Sequence, residues 1–395
     1  MRRITIYILI TVFVFSSILV LADKDFDPDF YKGIRPLAMG GAFVGVADDL
    51  NSLFYNPAGL SNTYGNFHMS LELQPAVSEN TAELLWKLFQ DKETLESLNF
   101  DDPASVIAYL ANSYGENVLN KDYIDASGGL AGSLRFGKRS GFNVGVGAGA
   151  FTQSAVQAIL SNTTIPQLTL KGGVSGIGIG AISMSLGGFS LGLNAKAVRY
   201  YDGLDVLGVD EIPITDVNFD YFSDFETEDA TIVHYSQYVK GDLGMLFEVG
   251  NFSLGALLRE LYYLDEDTAE MVSLEDIQDH EVRVGMGVRF PNLLVSADID
   301  NLFGFLDKME WGVNLSDESP MKVSSIYKTL HIGSELMLGK PLSLQFGINQ
   351  GYLTGGAILR LWAFQFQFAT YAQELGATAG SNGDRRYVAK LSFEF

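Results

Sequence analysis

Cysteine occurs nowhere in the 395 residues. Disulfide bonds are thereby excluded, together with any metal centre built on thiolates. Histidine is scarce: His68, His234, His280 and His331 stand far apart, with no spacing suited to metal ligation. Basic residues are in deficit, 26 Lys and Arg against 48 Asp and Glu, for a formal net charge of -22. So acidic a chain is a poor partner for nucleic acid, whose backbone is bound through cations. Long apolar runs are also lacking after Leu21. Any membrane crossing beyond that point must use strands, and a bilayer admits strands only as a closed barrel.

What is present points the same way. Arg2 and Arg3 precede an apolar run from Ile4 to Leu21, and Val20-Leu21-Ala22 ends on a small residue before Asp23. Residues 1–22 are therefore predicted to be a signal peptide, with an uncleaved anchor as the alternative. Losing Arg2 and Arg3 with that segment leaves 24 basic against 48 acidic residues, or -24. Glycine is plentiful at 42, beside 27 Phe and 18 Tyr, a mixture that suits the strands, turns and interfacial girdles of a barrel.

Apolar and polar side chains alternate through many segments, as they do in a strand that separates a wet from a dry environment. Phe142, Val144, Val146, Ala148 and Ala150 share one face, opposite Asn143, Gly145, Gly147 and Gly149. The stretches 189–197, 282–290, 342–349 and 364–370 repeat the rule. The last residues, Arg386 to Phe395, alternate strictly up to an aromatic, as the closing strand of an outer-membrane barrel does. Tight links such as Gly187-Gly188, Gly250-Asn251 and Trp362-Ala363 alternate with long acidic stretches such as 202–228 and 303–328. The prediction is an all-β protein, a transmembrane antiparallel β-barrel of about fourteen strands over residues 63–395, in the bacterial outer membrane.

Two segments depart from that pattern. In 78–121, Leu84, Leu85, Leu88 and Phe89, then Val106, Ile107 and Leu110, recur at helical spacing. They predict two short helices on the extracellular side, with Leu84, Leu85, Trp86, Phe89, Ile107 and Tyr109 as a candidate patch for capturing apolar molecules. In 172–186 the apolar phase flips, from Ile177 and Ile179 to Ile182, Met184 and Leu186. Since a one-residue slip exchanges the two faces of a strand, a bulge is predicted at Gly180-Ala181, a candidate opening towards lipid.

Before the first strand the chain reads Arg35-Pro36-Leu37-Ala38-Met39-Gly40-Gly41-Ala42-Phe43-Val44-Gly45-Val46-Ala47-Asp48-Asp49, then Asn51-Ser52-Leu53-Phe54-Tyr55-Asn56-Pro57-Ala58-Gly59-Leu60. Gly40 and Gly41 allow the backbone close passage along a wall. Asn56-Pro57 starts a turn that Gly59 ends with positive φ. Asp48 and Asp49 are expected to meet lumen bases such as Arg135, Lys196, Arg283, Arg289 or Arg360, and Gly145, Gly147 and Gly149 to give them room. This stretch resembles the N-terminal hatch of the FadL-type outer-membrane proteins, including their PorV-like and TraF-like branches. Glu374-Leu375-Gly376 through Asp384-Arg385-Arg386-Tyr387 resembles the closing hairpin of spirochaete- and Thermotoga-like members. The resemblance implies that residues 23–62 fold inside a fourteen-stranded barrel as a hatch, with Gly40, Gly41, Asp48, Asp49, Asn56, Pro57, Ala58 and Gly59 as its gating residues.

Catalysis finds little footing. His68 and His331 face the lumen near Glu72 and Glu335, but no motif surrounds a nucleophile. Neither a metal nor a cofactor is called for, and Asp265-Glu266-Asp267 lacks the spacing of a calcium loop. Three readings stay open. The resemblance implies passive uptake of hydrophobic small molecules, released sideways into outer-membrane lipid. A PorV-like relative would instead be a platform for a secreted or surface protein. The third reading is a structural barrel without transport.

Overall fold

A computed structural model describes residues 33–90, 120–138, 141–161, 167–202, 212–213, 234–265, 269–271, 281–308, 327–374, 379–380 and 383–394. The predicted signal peptide and the first part of the predicted hatch lie outside the described residues. The wall consists of β1 (Phe67–Ser78), β2 (Asn120–Gly137), β3 (Asn143–Ser161), β4 (Gln167–Leu186), β5 (Phe189–Asp202), β6 (His234–Val249) and β7 (Phe252–Asp265). It continues through β8 (Val282–Arg289), β9 (Leu293–Ile299), β10 (Leu330–Leu338), β11 (Leu342–Asn349), β12 (Tyr352–Leu361), β13 (Phe364–Glu374) and β14 (Gly383–Glu394). Each strand pairs antiparallel with its chain neighbours, and β1 with β14 closes the ring. The result is the fourteen-strand barrel that alternation predicts. Two short pieces, Ile212–Pro213 and Ala269–Met271, extend the wall at β4 and β7.

Side chains sort as the pattern requires. On β4, Ile182, Met184 and Leu186 point outward and are half exposed or more, while Ser183 and Ser185 are buried in the lumen. No helix among the described residues is long and apolar enough to cross a membrane; the exposed apolar side chains form a belt on the outside of the barrel. The wall is uneven in height: β2 to β7 run 14–20 residues, β8 to β12 only 7–10. Turns at Gly187-Gly188, Gly250-Asn251 and Trp362-Ala363 mark the short-turn rim, which in outer-membrane barrels is periplasmic.

The predicted bulge at Gly180-Ala181 is not there. The β3–β4 and β4–β5 ladders run unbroken past it, with Gly180 opposite Ala148 on one side and Ala195 on the other. The phase flips because the lumen changes, not the pairing. Ile177 and Ile179 point inward, into apolar clusters with Phe54 and with Leu53 and Leu60, so the lumen face turns apolar at that level. Outside, Gly176, Gly178 and Gly180 have open space above them.

The ladder does break two strands away. The β5–β6 pairing runs to Leu193 and Leu243 and resumes at Lys196 and Lys240, leaving Asn194, Ala195, Gly241 and Asp242 unpaired across the seam. Against β7 the register shifts between Gly241 and Leu243, and Glu260, opposite the shift, has φ 56.

Inside the ring lie helix α1 (Ile34–Ala38), helix α2 (Ser52–Tyr55) and a 3-10 turn, Pro57–Asn62. A helix α3 (Glu79–Gln90) follows β1, and α4 (Leu302–Lys308) follows β9. Only the first of the two helices predicted in 78–121 falls within the described residues.

Candidate functional site

The segment from Gly33 to Thr63 travels round the inside of the wall against the order of the strands. Ala38 meets β12, where its carbonyl accepts a hydrogen bond from Thr354 Oγ1 at 2.9 Å. Gly40 lies between β10 and β11, and the Ala42 carbonyl accepts from Ser296 Oγ on β9 at 2.7 Å. Gly45 is gripped by Ser253 of β7 at 2.6 Å. Pro57 and Ala58 press on Gly192 of β5, and Leu60 on Gly145 of β3.

Glycine makes this fit possible on both sides. A Cβ on wall residues Gly192, Gly255 or Gly333 would stand 2.2–2.3 Å from hatch backbone. Gly40 and Gly41 have φ 67 and 85, and a Cβ on Gly40 would meet the Ile348 carbonyl at 2.5 Å. Gly145 and Gly147 face the hatch as expected, whereas Gly149 packs on Phe151 and Ala131. Gly59 differs from expectation in its conformation: it sits inside the 3-10 turn rather than ending it with positive φ. It is glycine because a Cβ there would lie 2.4 Å from the Ala47 carbonyl.

Polar side chains fix the circuit. Arg35 on α1 binds Asp48 at 2.6 Å, Asp49 at 2.9 Å and Glu335 of β10 at 2.7 Å, all largely buried except Asp49. Asp48 also meets Arg289 of β8 at 2.8 Å. Burial works against the Asp48 charge, but Arg35 and Arg289 outweigh it and hold the carboxyl below its ordinary value. Burial likewise works against Arg35, and Asp48, Glu335 and Asp49 together raise it above its own. One oxygen of Asp298 accepts the backbone N–H groups of Phe43 and Val44, at 2.7 and 2.8 Å. His331 Nδ1 contacts the Gly40 carbonyl at 2.7 Å. The Asn56 side chain accepts from Ala58 N–H and donates to the carbonyls of Val44 and of Met245 on β6. Pro57 can occupy the first position of that turn because its missing N–H would have no partner there.

Two chambers inside the ring are lined partly by residues 35–64 and share no lining residue. The upper, of about 350 Å³, has an apolar side with Leu37, Phe54, Ile177, Val198 and Leu257, and a charged side with Arg259, Glu281, Arg283, Asp300 and His331. The lower, of about 910 Å³, is bounded by Arg35, Asp48, Asp49, Glu72, Arg360, Lys390 and Glu394 among others. Beside the upper chamber lies the seam. Asp242, fully buried, fills it: Asp242 N–H donates to Asn194 Oδ1 at 2.8 Å, and its carboxylate receives Asn194, Lys196 and the Glu260 N–H at 3.0–3.1 Å. Asn194 also donates to the Leu53 carbonyl of the hatch at 2.8 Å.

Neither the known sequence families nor the curated proteins contain a match. Solved structures do. A deltaS2S3 mutant of the TodX monoaromatic hydrocarbon channel is 12% identical, with 92% of this chain and 98% of that one covered and a TM-score of 0.51. The Pseudomonas putida toluene transporter TodX (11% identical, 93% and 99% covered, TM-score 0.48) and the CymD monoaromatic hydrocarbon channel (12%, 92% and 96%, 0.47) follow. This chain has the fold of the FadL-type outer-membrane barrels.

Within the barrel, Asp48 and Asp49 do meet cations, but only Arg289 came from the expected set; Arg35, from the same lumenal segment, is the centre of the cluster. Arg35 lies 13 residues before Asp48 on a different turn, a relation no local spacing reveals. Asp298, Ser253, Ser296 and Thr354 were missed for another reason: an inward polar residue on a lumen-facing position is what any barrel strand would carry. Of the capture patch, Trp86 is exposed at 62%. The side chains of Leu84, Leu85 and Phe89, and all of Ile107 and Tyr109, lie outside the described residues. His68 contacts the Tyr64 carbonyl and His331 pairs with Asp300 at 3.0 Å.

Proposed function

We propose that the protein is an outer-membrane channel for passive uptake of hydrophobic small molecules, closed by its hatch and emptied sideways through the seam between β5 and β6. The supporting observation is the seam's place beside the upper chamber, with Lys196, Val198, Leu257 and Arg259 bordering both. Downward exit would require dislodging a hatch clasped by Arg35, Asp298 and Asn56, whereas sideways exit asks only that a wall already short of ladder bonds should part. Fold likeness to hydrocarbon channels supports the same direction. Trp86 is the described part of the capture surface outside. An outward Trp at Ala195, on the seam, should obstruct the exit, and one at Ala148, on the unbroken wall, should not. The readout is uptake of an apolar fluorescent naphthylamine by cells carrying each variant. A strong loss confined to Ala195→Trp is expected. Equal uptake by both variants and the parent would sink the seam as the exit.

A further inference from the structure

Tyr55, on α2, faces the upper chamber, and its ring packs edge-on against Phe43 with centroids 5.6 Å apart. Its hydroxyl has no hydrogen-bond partner among the described residues. Arg283, Tyr371, Arg259 and Asp300, the groups whose charges act on it, all line the same chamber as Tyr55. Burial raises its pKa, and the group keeps its proton. A hydroxyl on a half-buried residue that lines a cavity is cut off from solvent when an apolar ligand fills that cavity, at a cost in free energy unless the ligand answers it.

The charges around it offer no such completion. Lys196 is held by Asp242 at 3.0 Å, Arg259 by Glu281 at 2.8 Å, Arg283 by Asp300 and Glu281, and His331 by Asp300 at 3.0 Å. Each cation lining the chamber already has its carboxylate, so a carboxylate ligand would have to displace one. A bare hydrocarbon would satisfy Phe54, Ile177 and Leu257 and leave the Tyr55 hydroxyl unanswered. At about 350 Å³ the chamber suits a molecule of one ring or a short chain.

We propose that the upper chamber binds an apolar molecule carrying one uncharged hydroxyl or carbonyl group, and that Tyr55 reads that group. This rests on the uptake reading above and names its ligand class. Toluene, p-cresol and p-toluate share a ring and a methyl group and differ in one substituent, which makes them the probes. Binding of each to the full chain in lipid nanodiscs is measured at equilibrium, with empty nanodiscs subtracted. The parent should bind p-cresol about tenfold more tightly than toluene, the worth of one hydrogen bond to a buried partner, and p-toluate weakly. In Tyr55→Phe, which keeps the ring on Phe43, p-cresol should fall to the level of toluene while toluene is unchanged. The inference is overturned if the parent binds toluene and p-cresol equally, if p-toluate binds most tightly, or if the variant keeps the preference. Binding of none of the three would overturn the uptake reading along with it.

Discussion

The wall at β3–β5 and the wall at β5–β7 make opposite statements about the same barrel. Around Gly176 to Gly180 the apolar phase flips and the ladder holds. Around Gly241 to Leu243 no phase flips and the ladder fails. Phase reports which solvent each face meets, and at Ile177 and Ile179 the lumen is dry because the hatch packs there. Pairing depends on whether backbone N–H and C=O groups find partners, and at the seam Asp242 and Asn194 supply them from side chains. A break in a barrel wall is therefore better sought in an inward carboxylate flanked by amide and lysine than in a slipped hydrophobic pattern.

The largest test of that contrast is Asp242→Ala. It removes a fully buried carboxylate from Lys196 and from two hydrogen bonds, and should cost about 3–5 kcal/mol. Ser183→Ala, on the unbroken wall and with an Oγ that no described residue satisfies, should cost under about 0.5 kcal/mol; thermal melts in detergent compare the two. Next comes glycine. Gly192→Val on β5 would drive a side chain into Pro57 and Ala58, for about 1–3 kcal/mol, whereas Gly178→Val enters open space facing lipid and should be near neutral.

The smallest effect is expected from pH. Asp48 is depressed in the folded state, so its contribution to hatch closure is fully present above its ordinary 3.8 and is lost as pH falls through the lowered value. Conductance of single channels in a planar bilayer should stay flat from about pH 7 to about pH 5 and rise only below about pH 4. A rise already at neutral pH would show that Asp48 does not hold the hatch.

Much of this architecture was legible before any coordinates. Alternation carries the lipid-facing set without ambiguity, because each strand has to be apolar outside along the thickness of a bilayer. The tight packing of residues 33–63 inside the ring was legible at Gly40, Gly41, Asp48, Asp49 and Asn56 to Gly59, where glycine, acid and turn chemistry crowd into a short stretch. Arg35 was not, since its three carboxylates come from 13, 14 and 300 residues away. Nor was the seam: Asp242 looks like any lumen-facing acid until Asn194 and Glu260 are brought beside it.

The route of the hatch also imposes an order on assembly. Arg35 reaches Glu335, and Ala38 reaches Thr354, across 300 and 316 residues of chain. That segment thus has no seat until β10 to β12, which follow it in the chain, have been laid down, and closing so long a loop is slow. Meanwhile wall glycines from β3 to β12 surround an empty waist. Whatever guides the strands into a ring must do so around a segment that is still free, and the barrel gains its core only at the end.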